Sequence, residues 1–260
     1  MPIMEPRVRA HVAGSVSGVN GPGSRRERLR DETSAEIRTT ARARLVAGGP
    51  GEMTLRAIAR DRGMTAPALY RYFGSHEELY VAVCADVLAE LTATLEKARD
   101  DAPAGDPVAR LGATCRAFRR WALDHRQEFQ LIFASGAEAP VVGGPSQPAG
   151  PDGDFEMSFG AVFLGLFAEI WQRQPYIVPT DDQLPPHLVS QLRDFAGRVD
   201  VMGTGLPLGA LATFLGGWVR LFGSVAIEVF GHLGFALDDA EPMFEAMLAD
   251  MAAQLSTAAR

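Results

Sequence analysis

Gly63 constrains this chain more than any other single residue. It follows the helical run "LRAIARD" and precedes a second short run, "APALYRYF", so two helices must meet across it at a sharp angle. Such a pair needs a small residue where the helices cross closely, a turn residue that tolerates positive φ, and an apolar residue facing back from the second helix. Ala59, Gly63 and Leu69 hold those places, with Ile58 and Met64 beside them as core. The spacing is that of a helix-turn-helix, although helix pairs joined by glycine also occur in many all-α proteins that bind no DNA.

Another helix precedes the pair. From Arg25 to Ala47 the apolar residues Leu29, Ile37, Ala41, Leu45 and Val46 fall mostly on one face, and "GGPGE" at 48–52 ends the run. Thr54 and Thr65 are placed to cap the two short helices. Ser75 with Glu78 makes a capping box for a long fourth helix reaching about Arg99. Beyond "DDAPAGDP" helical patterns follow near 106–124, 126–135, 155–173, 185–200, 207–232 and 239–257, with no alternating strand pattern. "GAEAPVVGGPSQPAGPDGD" and "QPYIVPTDDQLPP" read as loops. The expected fold class is all-α. An aperiodic, disordered arm over 1–24 leads into a three-helix helix-turn-helix domain over 25–74 and a helical bundle over 75–260.

Charge divides the chain at nearly the same place. Residues 1–73 carry 13 Arg against 7 acids, while residues 74–260 carry 12 basic residues against 25 acids. A basic unit on an acidic body suits a nucleic-acid-binding domain attached to a regulatory one; a solvated arginine-rich helix with no partner has the same composition. No segment of signal-peptide pattern is present, and the apolar stretch from Gly203 to Phe235 is interrupted by Arg220, Glu228 and several glycines, so it reads as a buried helix and the protein as cytoplasmic, with no membrane partner. Cys84 and Cys115 suggest neither a disulfide framework nor a metal site. The five histidines lack metal-ligand spacing, no nucleophile elbow or phosphate loop occurs, and adjacent Asp124 and His125 do not face each other on a helix. The expectation is a protein that is not an enzyme and takes no cofactor.

With Leu69 and Phe73 pointing inward, the second helix of the pair leaves Thr65, Ala66, Pro67, Tyr70 and Arg71 outside. The first three stand at its N-terminal end, where a recognition helix presents side chains to base edges in the major groove. Their small side chains let the backbone approach, Arg71 reaches a guanine or a phosphate, and Tyr70 offers its hydroxyl to a phosphate. Tyr72 reads as core.

At this point the residues resemble a known family. "TLRAIARDRGMTAPALYRYFGSHEELY", after an arginine-rich first helix, is similar to the N-terminal domain of TetR-family bacterial transcriptional regulators. Ile58, Ala59 and Gly63 match its I-A-x-x-x-G turn, Leu69, Tyr70 and Phe73 match its L-Y-x-x-F, and Ser75, Glu78 and Leu79 match the segment that opens its fourth helix. The resemblance implies DNA contacts from Thr54, Arg56, Thr65, Ala66, Pro67, Tyr70 and Arg71. It also implies one from His76, which stands where the family usually has a phosphate-contacting Lys. Arg25, Arg26 and Arg28 at the end of the arm then track an adjacent minor groove.

For the bundle the resemblance implies effector binding and dimerisation. "FLGGWVRLFGSVAIEVFGHLG" is similar to a C-terminal subtype with W-x-x-x-H-G, in which Trp218 and Gly223 match and Phe222 replaces His. Phe118, Trp121, Phe129 and Phe133, and then Phe155, Phe159, Phe163 and Phe167, recur at helical spacing. Each ring alone reads as core. Together with Trp218 they suggest a cavity for a small apolar or aromatic effector of unknown identity. Gly209, Gly216, Gly217 and Gly223 make the last two helices the candidates for a two-fold homodimer interface, which a palindromic operator requires. The function expected is a ligand-responsive regulator, a repressor released by its effector. The alternative is a helical dimeric interaction module without DNA binding.

If the arm contributes, deleting residues 1–28 weakens DNA binding and flattens its salt dependence. A gel-shift series over ionic strength checks this, and unchanged affinity and slope would exclude the arm.

Overall fold

The computed structural model describes residues 25–133, 154–198 and 205–258, with the backbone alone at 154–158 and 198. Among the described residues ten α-helices follow one another: α1 Arg25–Gly48, α2 Leu55–Asp61, α3 Ala66–Leu69, α4 His76–Asp101, α5 Pro107–Asp124, α6 Arg126–Phe133, α7 Asp154–Arg173, α8 Pro186–Arg198, α9 Leu208–Val229 and α10 Glu241–Ser256. Among the described residues the only extended pairing is an isolated bridge between Tyr176 and Ala258. The all-α expectation holds. The arm over 1–24 and the loop expected before α7 lie outside the described residues, Asp154 of that loop being the first residue of α7.

The local signals act as read. Thr54 Oγ1 accepts from the Ala57 N–H and Thr65 Oγ1 from the Ala68 N–H, both at 3.3 Å, so each short helix starts at its threonine. Gly63 takes φ 62°, and the Met64 N–H returns to the Ala59 carbonyl at 2.8 Å. Ser75 Oγ accepts from the Glu78 N–H at 3.0 Å, while the Glu78 carboxylate accepts from the Gly74 N–H at 2.6 Å. The capping box thus reaches back one residue further than its usual form.

Two local expectations are corrected. The helix read over 66–73 is α-helical only to Leu69 and continues as turns in which Tyr72 and Phe73 both bond to the Leu69 carbonyl. That tightening lets Phe73 bury while Tyr70 stays outside. On α1, Ile37, Ala41 and Leu45 are buried at four-residue steps, but Leu29 and Val46 are each 53% exposed, Val46 because it stands about 100° round the helix from Leu45.

The helix-turn-helix does not hang on a linker. Leu79, Val83, Val87, Leu91 and Leu95 bury along α4, which packs against α1 and α6 as well as α5 and α7. One apolar core therefore runs from Ile37 in α1 to Leu255 in α10.

The long apolar helix α9 is less enclosed than its composition suggested. By length and hydropathy it passes for a membrane span, yet only 33% of its most apolar window is buried. It packs on α5, α7, α8 and α10 with one side and leaves Val219, Ile227 and, just past its end, Phe230 exposed on the other. The four glycines read there as one interface divide. Gly209 lies against the Pro179 carbonyl and Gly217 against Met251 and Phe167, both inside the chain, whereas nothing within 4 Å faces Gly216 or Gly223.

Gly209→Ala would drive a methyl group into the Pro179 carbonyl. It should destabilise the fold by about 1–3 kcal/mol, the usual cost of overpacking. Gly223→Ala, with open space at the same point, should leave the isolated chain's stability nearly unchanged. Thermal melts of the two variants compare them.

Candidate DNA-binding face and effector core

The short helix α3 places its N-terminal end outward because Leu69 is fully buried and Phe73 nearly so. Thr65, Pro67, Tyr70 and Arg71 are exposed on that side, Ala66 is half-buried between them, and Thr54 and Arg56 are exposed at the start of α2. Tyr70 is 52% exposed, which leaves its hydroxyl open to a partner outside the chain. Tyr72 is half-buried against the core, as expected.

Arginines in this unit fall into two groups. Arg38, Arg42, Arg44 and Arg62 are committed to acids on neighbouring elements: Arg44 forks onto Asp61 at 2.6 and 2.9 Å, Arg38 meets Asp86 at 2.5 Å, and Arg62 pairs with Glu36. The Arg44 guanidinium holds the Asp61 carboxyl below the usual carboxylate range. Arg56 and Arg71 are exposed, and no ion pair within the described residues occupies them. Arg25, Arg26 and Arg28 are also exposed, on the first turn of α1 rather than in an arm. Arg30 donates to the Arg71 carbonyl at 3.4 Å, which holds α1 against the end of α3.

His76 has a partner inside the chain. Its Nε2 lies 2.7 Å from the Met53 carbonyl, and since a carbonyl only accepts, that nitrogen carries the proton. The ring ties the start of α4 to the residue before Thr54 and so positions α2, while the residue stays exposed.

In the bundle, Phe118 of α5, Phe129 and Phe133 of α6, Phe159 and Phe163 of α7, and Trp218 of α9 come together, with centroid separations of 4.8 Å (Phe129 to Phe133) to 6.4 Å (Phe118 to Phe163). Phe222 completes the group at 5.3 Å from Phe133 and 5.6 Å from Trp218. It is not among the site residues expected from the sequence, although its place four residues after Trp218 puts both on one face. Phe167 stands apart, edge-on to Phe214 at 5.2 Å, and the side chain of Phe155 lies outside those described. Trp121 also leaves the group: it stacks on His125 at 5.0 Å and donates its indole N–H to Glu90 at 3.4 Å.

These rings pack on one another, and beside them a void of about 10 Å³ bordered by Cys115, Phe163, Phe167, Phe214, Trp218 and Met251 has room for roughly one water. A larger cleft of about 260 Å³ lies between α5 and α10, but Arg116 there pairs with Glu245, and Arg119 with Glu228 and Glu241.

Between the two regions lies a polar fork that the sequence did not disclose. Arg42 of α1 meets both oxygens of Glu90 on α4, at 2.5 and 3.2 Å, and turns its Nε to Glu128 on α6 at 3.2 Å. The Arg42 hydrogen bonds hold the Glu90 carboxyl below its usual range, against the opposing effect of burial. His125, the C-cap of α5, places Nε2 3.6 Å from Glu90 and Nδ1 2.9 Å from the Trp121 carbonyl. Glu128 is 5% exposed and is the one fully buried charged residue among those described.

Residues 37–83 match the family described as bacterial regulatory proteins, tetR family, and residues 111–251 match tetracyclin repressor-like, C-terminal domain. The chain is 30% identical over 212 residues to HTH-type transcriptional regulator Rv1816 of Mycobacterium tuberculosis, covering 82% of this chain and 86% of that protein. The same figures hold for HTH-type transcriptional regulator Mb1846 of Mycobacterium bovis. Among solved structures it is similar to SCO4313, with 30% identity, 88% of this chain and 98% of that one covered, and a TM-score of 0.66. A protein from Rhodococcus sp. RHA1, 18% identical over 85% of this chain and 92% of its own, shares the fold with a TM-score of 0.56.

The Glu90 pair sets an acid limit. A carboxyl held below its ordinary value of 4.5 stabilises the fold fully above that pH, and the contribution is lost as pH falls through the lowered value. Glu90→Gln should therefore flatten the acid limb of the melting temperature measured from pH 5 downward. An acid limb as steep as the parent's would mean the pair adds nothing net.

Proposed function

The chain belongs to the TetR family of bacterial transcriptional regulators, and from that premise we propose that it is a ligand-responsive repressor. It binds a palindromic operator in the cytoplasm as a homodimer. The observation that carries the DNA reading is the exposed row of Thr65, Pro67, Tyr70 and Arg71 at the N-terminal end of α3, flanked by Thr54 and Arg56. Small residues at the front admit the backbone to the major groove, and Arg56, Tyr70 and Arg71 reach the phosphates and base edges on either side.

The DNA-binding domain spans 25–74 and the effector and dimerisation domain 75–260. Two copies meet through α9 and α10. Support comes from the outward stripe of Gly216, Val219, Gly223 and Ile227 on α9 and of Met243 and Ala246 on α10, where Val219 is 69% exposed and no side chain of the same copy faces Gly216 or Gly223. The glycines let two helices approach closely, and a two-fold axis there presents two α3 helices to successive major grooves.

The effector is small and apolar or aromatic. It enters among the rings of α5, α6, α7 and α9, parts them, and selects a state in which α4 and the α3 helices are spaced wrongly for the operator. Those rings offer stacking faces and no charged group, which fits a neutral ligand.

A mobility-shift assay with the promoter next to the protein's own gene tests the reading. A retarded band whose midpoint rises with salt supports it, and no shift at micromolar protein would favour a helical interaction module instead. Tyr70→Phe removes one hydroxyl from the proposed phosphate contact while leaving the fold. It should weaken the complex by about 0.5–1.5 kcal/mol, roughly two- to tenfold, equally across operator sequences.

A further inference from the structure

Glu128 is a buried carboxylate whose partner comes from another helix, α1, 86 residues away in sequence. Phe129, the next residue, and Phe133 on the same eight-residue helix belong to the aromatic group. The helix α6 therefore touches the effector core with two rings and the DNA-binding unit with one charge. It is also fixed to α4, through the Tyr80 hydroxyl donating to the Leu131 carbonyl at 2.8 Å.

We infer that Glu128 and Arg42 are positioning residues that carry the state of the aromatic core directly to α1, beside the movement of α4. The inference rests on the regulator reading above and names the regulation of that same site.

The two kinds of contact permit different movements. Apolar contacts along α4 are non-directional and tolerate a slide or a small rotation. A buried carboxylate does not: if α6 shifts, Glu128 either carries Arg42 with it or is left buried and unpaired. Arg42 is meanwhile held by Glu90, so the guanidinium arbitrates between α4 and α6. Any ring displacement that moves α6 pulls on one arm of the fork and turns α1. Since α1 packs on α2 and α2 on α3, with an exposed Arg30 contact to the Arg71 carbonyl just beyond α3, the recognition element turns with it. The second pair between α1 and α4, Arg38 with Asp86, does not touch α6 and supplies an internal control.

The test needs neither DNA nor effector. Phe133→Leu trims the aromatic group from the α6 side, and hydrogen exchange of the full-length protein reads the response at the central amides of α1, Ile37 to Leu45. In the parent background, exchange there should rise by about three- to tenfold. In a Glu128→Gln background the same substitution should leave α1 exchange unchanged, although the melting temperatures of the two changes add. In an Asp86→Asn background the response should persist. Equal increments with and without Glu128 overturn the inference, as does a response lost equally with Asp86→Asn, which would show only general loosening of α1. If Phe133→Leu disturbs the whole fold, Phe129→Leu repeats the measurement from the adjacent ring. Failure of the promoter shift would sink the repressor reading while leaving this exchange result as it stands, so the two are separable.

Discussion

Every functional feature of this protein depends on the burial of one face of α4. Its apolar residues recur at three- and four-residue steps from Leu79 to Leu95, and they join the core of the helix-turn-helix to that of the bundle. Without that shared burial, the four-residue α3 would have nothing to hold it, since a helix so short has no independent stability. With it, the orientation of α3 becomes a property of the whole chain. The recognition unit is a terrace on the bundle rather than a bead on a thread.

Hydrophobic burial fixes that the parts adhere but leaves their exact register free. Register comes from a few polar contacts that cross between elements: His76 to the Met53 carbonyl, Arg30 to the Arg71 carbonyl, Tyr80 to the Leu131 carbonyl, and the Arg42 fork. Each is directional, and all but the exposed Arg30 contact are partly shielded from water, so those three cost more to break than an exposed pair would. They concentrate where the DNA-facing unit meets α4 and α6. A regulator needs its adhesive contacts to survive a change of state and its directional contacts to tell one state from another, and this division supplies both.

The packing of the aromatic rings bears on the same point. Seven rings touch one another, and the void of about 10 Å³ beside them, bordered by Phe163 and Trp218 with Phe167, Phe214 and Met251, holds roughly one water, so a larger guest there must displace a side chain. Phe222, where the related pattern has histidine, adds a ring against Phe129, Phe133 and Trp218, beside the hydrogen bond that Arg126 of α6 donates to the Val229 carbonyl of α9.

Much of this was legible from local signals. The caps at Thr54, Thr65 and Ser75, the positive φ of Gly63, and the inward Leu69 and Phe73 depend on neighbours within a few residues, and each stands where its pattern put it. The exposed row on α3 followed from the same periodicity. What was not legible shares one cause. His76, Trp121 and Gly209 read from the sequence as residues of a phosphate contact, a pocket and an interface, and each also has a neighbour inside the chain that spacing cannot reveal: the Met53 carbonyl, Glu90 with His125, and the Pro179 carbonyl.

The sequence alone therefore determined the helices, their ends and the outward face of the recognition helix, because capping, turn chemistry and amphipathic period act within one or two turns of chain. Only the tertiary structure decided that Glu128 lies beside Arg42, that the rings close on themselves, and that α9 keeps an apolar side outside. Those outcomes depend on how helices far apart in the chain share a limited core, and no local pattern encodes that competition.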